Sequence, residues 1–153
     1  MKPGFFDRGG WWVIGQSILM LAVTAAGPLW PGVPGRSAVW LAGLVFLFGA
    51  VVGTSGVVVL RGNRTIYPRP NAGSQLVQSG IYRWIRHPLY TSVMALSAAW
   101  AVVWASWPAA ATALTLAVFL GFKAAREERW LTETFPEYEA YRRRTKRFLP
   151  GVL

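Results

Sequence analysis

The sequence predicts an all-α integral membrane protein with about four transmembrane helices and both ends on the cytoplasmic side. Three observations carry this. Apolar residues make up 54% of the 153 residues and charged residues 14%, against about 25% charged in a typical soluble domain. The apolar residues fall into four long uncharged runs. The basic residues, which give a net charge of +10, lie almost wholly between and beyond those runs. Length allows one domain, residues 1–153.

The first run, Trp11 to Trp30, has no charge and is framed by Trp11, Trp12 and Trp30. A hydrocarbon core takes about 20 apolar residues of helix, and tryptophan favours its interfaces. The run is longer than a signal-peptide core and no small-x-small cleavage pattern follows it, so it reads as a retained helix. After the Pro31–Gly35 turn comes the second run, Ala38 to Leu60. Within it Gly49 and Gly53 form a GxxxG spacing, which means close helix packing or a chance match in a glycine-rich span. The stretch from Arg61 to His87 carries Arg61, Arg64, Arg69, Arg83 and Arg86, the breakers Pro68, Pro70, Gly73 and Gly80, and no acidic residue. It reads as a loop with a short helix before Pro88. Two shorter runs follow, Leu89 to Ala105 and Trp107 to Phe122, joined by a turn at Ser106, Trp107 and Pro108. They form an antiparallel hairpin that either crosses the membrane or re-enters it. From Lys123 the chain is charged, and a surface helix is expected over Pro136 to Thr145. Proline suits its first turn, with Glu137 and Glu139 near the positive end of the helix dipole and Arg142, Arg143 and Arg144 near the negative end.

With four spans, every Lys and Arg except Arg36 shares one side with all six acidic residues. The positive-inside rule makes that side the cytoplasm. A membrane surface therefore accounts for the net charge better than nucleic acid does. The absence of cysteine excludes disulfides, thiolate metal sites and a cysteine nucleophile, and the single histidine, His87, excludes a multi-histidine metal site.

Three polar clusters remain for chemistry, all on that side. The first is Leu76-Val77-Gln78-Ser79-Gly80-Ile81-Tyr82-Arg83-Trp84-Ile85-Arg86-His87-Pro88-Leu89-Tyr90. Pro88 opens the third helix and pushes His87 towards extended backbone. Arg86, His87 and Tyr90 thus stand at a helix mouth whose free N–H groups suit a carboxylate or another anion, or they are interfacial anchors. The second, Lys123-Ala124-Ala125-Arg126-Glu127-Glu128-Arg129-Trp130-Leu131, places Lys123 and Glu127 on one helix face. Its carboxylates hold hydroxyls or a cation, or they belong to a solvated ion-pair face. The third, Phe135-Pro136-Glu137-Tyr138-Glu139-Ala140-Tyr141 with the basic run to Pro150, binds anionic lipid headgroups or simply sets topology.

Together the clusters resemble the isoprenylcysteine carboxyl methyltransferase and phospholipid methyltransferase family. That pattern is L-V-x-x-G-x-Y-R-x-x-R-H-P-x-Y, then a helical hairpin, then E-E-x-x-L-x-x-x-F-G-x-E-Y-x-x-Y. Here it runs from Leu76 to about Pro150. The resemblance implies a membrane enzyme that moves a methyl group from S-adenosylmethionine to a lipophilic acceptor, a carboxylate or amine of a lipid or lipidated molecule. It implies cofactor-site motifs at 74–90 and 123–150, with the loop and the tail covering the site. Ser74, Gln75, Leu76 and Val77 would supply loop contacts. Tyr82, His87, Pro88, Leu89 and Tyr90 would wrap the amino-acid and ribose portions. Glu127 would bind a polar group of the cofactor, and Lys123 would meet the acceptor. An amine acceptor must first lose a proton, and Glu128 or a tyrosine is the candidate base. The sequence departs from the pattern at Ser92 and Pro136, where glycines are usual. It departs again at Lys123, which lacks the planar fork of the arginine found there in the carboxyl methyltransferases. Two other readings compete. The H-P-x-Y element is similar to that of NADPH-dependent membrane sterol or enone reductases, although Leu89 stands where those enzymes carry Asn. The second is a lipid-binding membrane protein with the same fold and no activity.

Overall fold

The computed structural model describes residues 4–60 and 75–149. Ser74, together with Arg61, Arg64, Arg69, Pro68, Pro70 and Gly73, lies outside the described residues. Among the described residues five α-helices follow one another: α1 (Gly10–Leu29), α2 (Arg36–Leu60), α3 (Pro88–Val103), α4 (Trp107–Thr134) and α5 (Tyr138–Arg144), with a short 3-10 helix at Gly80–Arg83 before α3. Among the described residues there is no strand, only an isolated parallel bridge between Ile85 and Lys146. α1, α2 and α4 are long and apolar enough to cross a membrane; α3 is apolar but has 16 residues. At 1.5 Å per residue that is about 24 Å of helix, short of the roughly 30 Å hydrocarbon core.

α1, α4, α3 and α2 lie side by side in that order, each antiparallel to the next. Trp12 and Gly15 of α1 meet Phe119 of α4, while the Ser106 hydroxyl at the start of α4 donates to the Ala26 carbonyl at 3.0 Å. The first turn of α1, the end of α2, the start of α3 and the charged part of α4 therefore share one end of the bundle. Its apolar centre is formed by Val23, Ala113, Leu116 and Leu120, with Leu19, Val93, Met94 and Tyr90 packed against them. Outward faces of α1 and α2 carry exposed Leu21, Trp40, Leu44 and Phe46, as lipid-facing helices do.

The glycines of α2 decide how closely α3 can approach. A Cβ on Gly49 would stand 3.0 Å from that of Ala95, one on Gly53 2.9 Å from that of Ser92, and one on Gly56 3.1 Å from Pro88 and Leu89. The GxxxG spacing is thus a helix contact, extended by one further glycine. Ser92, the bulkier residue where the resembling pattern has glycine, is buried against Gly53. One helix supplies the space that the other has filled. Gly53→Val is expected to lower the thermal unfolding midpoint in detergent, consistent with overpacking of about 1–3 kcal/mol. An unchanged midpoint would show that the interface yields.

Two boundaries differ from expectation. The α3–α4 turn lies at Trp104 and Ala105, the latter in left-handed backbone at φ 44°. Ser106 caps α4 by accepting from the Ala109 N–H, so Trp107 and Pro108 are already helical. Serine as cap and proline in the first turn favour that arrangement. The last helix begins at Tyr138 rather than Pro136. Tyr138 N–H bonds to the Phe135 carbonyl at 3.0 Å, so Pro136 takes the second position of a β-turn, where its fixed φ also fits. The helix is not purely superficial, since Tyr138 and Tyr141 are buried.

Candidate functional site

Two adjacent carboxylates near the end of α4 organise the polar end of the bundle. Glu128 is 5% exposed and faces three nitrogen-bearing side chains. Arg86 Nε lies 2.9 Å from its Oε1, His87 Nε2 3.3 Å from the same oxygen, and Arg147 Nη2 2.7 Å from Oε2. Arg86 also donates from Nη1 to the backbone carbonyls of Arg142 and Thr145. Burial of a carboxylate is tolerated where opposite charge and hydrogen bonds surround it. The same contacts hold the Arg147 guanidinium above its usual range.

Around this centre the chain doubles back on itself. Arg86 N–H bonds to the Lys146 carbonyl at 2.8 Å, His87 N–H to Arg147 at 3.1 Å, and Lys146 N–H to Trp84 at 3.1 Å. The Thr91 hydroxyl donates to the Phe148 carbonyl at 2.9 Å. Residues 145–148 thereby form a strap across the entrance of α3. The backbone N–H groups of Arg86 and His87 at that entrance are thus taken by the protein's own carbonyls, and the anion beside them is Glu128.

Glu127, one residue earlier, points into a more open place, its side chain 24% exposed. The Tyr90 hydroxyl donates to its Oε2 at 2.7 Å, and His87 Nδ1 lies 3.8 Å from the same atom. The His87 and Tyr90 rings are stacked, 5.2 Å between centroids. Lys123, 3% exposed, lies over the Tyr90 ring with Nζ 5.2 Å from its centre, and donates to Gln16 of α1 at 2.6 Å.

The structure therefore brings His87, Tyr90, Glu127 and Glu128 together as two hydrogen-bonded pairs, Tyr90–Glu127 and His87–Glu128, joined by the stacked rings, with Lys123 against Tyr90. Pro88 is buried beneath it. Leu89 stands outside the group and faces Gly56 of α2. Leu76 and Val77 are half-buried in the lead to the 3-10 helix, and Gln75 beside them is exposed. That stretch is tied to α5: Arg144 bonds to Gln78, and the Tyr141 hydroxyl donates to the Tyr82 carbonyl at 2.7 Å. Burial pushes the phenols of Tyr82 and Tyr138 well above their usual range and that of Tyr141 up to about 12. All three are held protonated near neutrality. Arg147, Thr145 and Gln16 belong to the site and were not singled out from the sequence.

Over 146 residues the chain is 28% identical to the cobalt-zinc-cadmium resistance protein CzcN of Cupriavidus metallidurans, covering 95% of this chain and 64% of that protein. It is 26% identical to the nickel-cobalt-cadmium resistance protein NccN of Alcaligenes xylosoxydans xylosoxydans, covering 95% of this chain and 65% of that one. The chain thus spans about two thirds of the length of these curated relatives. Among the described residues, no three His, Asp or Glu side chains are grouped to hold a metal ion. The phospholipid methyltransferase profile matches residues 37–138, from the start of α2 through the hairpin and both carboxylates to the first residue of α5. A match over so much of the chain shows that it belongs to the phospholipid methyltransferase family.

Proposed function

We propose that the protein is a membrane-embedded methyltransferase that uses S-adenosylmethionine and acts on a lipophilic acceptor, a carboxylate or amine of a lipid or lipidated molecule. The observation that carries this reading is the Tyr90–Glu127 pair, a partly exposed carboxylate oriented by a phenol. Its chemistry fits the cofactor, whose ammonium and ribose hydroxyls both donate to a carboxylate. The cofactor supplies a methyl group on a sulfonium, which departs as a neutral thioether.

In this proposal Glu127 and Tyr90 bind and orient the cofactor, with His87 stacked behind Tyr90. The loop through Gln75 to Val77 and Tyr82 closes one side. Lys123 lies on the acceptor side. Glu128 is given an anchoring role, because its three partners favour its ionised form and occupy both of its oxygens. Tyr82, Tyr138 and Tyr141, being protonated, offer no base either. A carboxylate acceptor needs none, so alignment and exclusion of water would provide most of the rate. We place the site at the cytoplasmic face of a single domain of four spans, α3 included, with both ends of the chain cytoplasmic. The basic residues on the exposed face of α5 would then meet anionic headgroups.

The test is calorimetric titration of the purified protein with S-adenosylmethionine, S-adenosylhomocysteine and, separately, NADPH, followed by transfer of a labelled methyl group into a membrane lipid extract. Binding of the first two with label recovered in lipid supports the reading. Tight NADPH binding alone would replace it with the reductase, and folded protein that binds none of them would leave a lipid-binding protein.

A further inference from the structure

Within the apolar run of α1 stands one long amide, Gln16, and the structure gives it a partner on another helix. Its Oε1 accepts from Lys123 Nζ at 2.6 Å, and its Nε2 lies 3.6 Å from the Met20 sulfur. Thr24, on the same helix, bonds only to its own helix carbonyl at Met20 through its hydroxyl. An amide in an apolar span is costly unless it is used. The Lys123 ammonium has no carboxylate within ion-pair distance among the described residues. Gln16 and the Tyr90 ring are its close neighbours. The phenol of Tyr90 in turn donates to Glu127. A continuous series of contacts therefore leads from α1 through Lys123 and Tyr90 to the partly exposed Glu127 carboxylate. α1 lies wholly outside residues 37–138.

We propose that Gln16 is a positioning residue of the site: its amide oxygen holds the buried Lys123 ammonium against the Tyr90 ring and so fixes the phenol that orients Glu127. A neutral acceptor suits this task. It satisfies one N–H of the ammonium and leaves the charge free to act on the ring face, where a cation is attracted to the π system. A carboxylate in its place would cancel that charge. The consequence for cofactor affinity rests on the methyltransferase reading; the fixing of Lys123 does not.

The test uses full-length protein labelled with 15N-lysine, which contains three lysines, Lys2, Lys123 and Lys146. Wild type is expected to show one ammonium resonance protected from exchange, lost in Lys123→Arg. Gln16→Leu should abolish that protection, and Gln16→Glu should keep it. In parallel, Gln16→Leu should weaken S-adenosylmethionine binding about five- to tenfold, the range for one hydrogen bond. In a Lys123→Met background the same change should have no further effect. If the leucine variant does not fold, Gln16→Asn, too short to reach the ammonium, carries the same measurements. A protected resonance that survives in Gln16→Leu or Gln16→Asn overturns the proposal whether or not the cofactor binds. Losses of affinity that add across the two positions overturn it in favour of simple helix packing, as does unchanged affinity once protection is lost. Failure of wild type to bind the cofactor, with protection still dependent on Gln16, upholds the fixing of Lys123 and removes only the methyltransferase reading.

Discussion

Glu128→Gln is expected to destabilise the protein by about 3–5 kcal/mol, the range for removing one partner from a buried ion pair. The amide keeps the shape but removes the charge that faces Arg86, whose side chain is 8% exposed, and Arg147. Arg86 cannot turn to water, because Thr145 and Arg142 carbonyls hold its other end. The thermal midpoint in detergent should fall. Amide exchange at Arg86, His87 and Lys146 should rise most, since those N–H groups bond across the strap. Arg147→Ala makes the contrast: its side chain is 32% exposed, and the loss should be about 1 kcal/mol, as for an ion pair near solvent. If Glu128→Gln melts with wild type, the carboxylate is not holding this end of the bundle together.

Glu127→Ala is expected to do the opposite, sparing the fold and removing the cofactor. The side chain is partly open and its firm contact is with Tyr90, so the thermal midpoint should hardly move. Affinity for S-adenosylmethionine should fall about 10- to 150-fold, the effect of losing a charged hydrogen-bond acceptor worth about 1.5–3 kcal/mol. Calorimetry on both proteins settles it: equal affinities would remove Glu127 from the site. With affinity lost and the fold spared, neighbouring residues on one helix would have separate duties, one measured by melting and the other by binding.

Most of the helices were legible because a membrane imposes a coarse rule. Uncharged runs of the right length mark α1 and α2 to within about two residues at each end. Pro88 marks the start of α3 because proline suits a first turn. The hairpin turn was placed late because Ser106 reads equally well as a turn residue and as a cap. Which it is depends on Ala26, on a helix far away in sequence. Pro136 is ambiguous in the same manner, since a fixed φ serves a helix start and a β-turn alike. Glu127, Glu128, His87 and Tyr90 could be named from their motifs, but not the division of labour between the carboxylates. That depends on Arg147, which lies among four other basic residues from Arg142 onward and differs from them in that its side chain reaches Glu128. Gln16 did carry a signal, a lone long amide in an apolar run, although its partner could not be read from spacing.

The strap also has a bearing on how the molecule is assembled. Ile85 and Lys146 are paired, so everything between them, the α3–α4 hairpin together with α5, is enclosed in a loop fastened at its neck. The tight turn at Ala105 closes the far end. α1 and α2 are long enough to enter a bilayer singly, whereas α3 is short and buries its small residues against Gly49, Gly53 and Gly56. α4 is long enough to enter as well, so α3 is the span expected to depend on docking, and the hairpin is expected to become secure only when residues 145–148 have crossed its neck. A nascent chain stopped before Lys146 should therefore hold α1 and α2 in the membrane while its hairpin stays open to protease, and chains extended past Phe148 should become resistant in a single step.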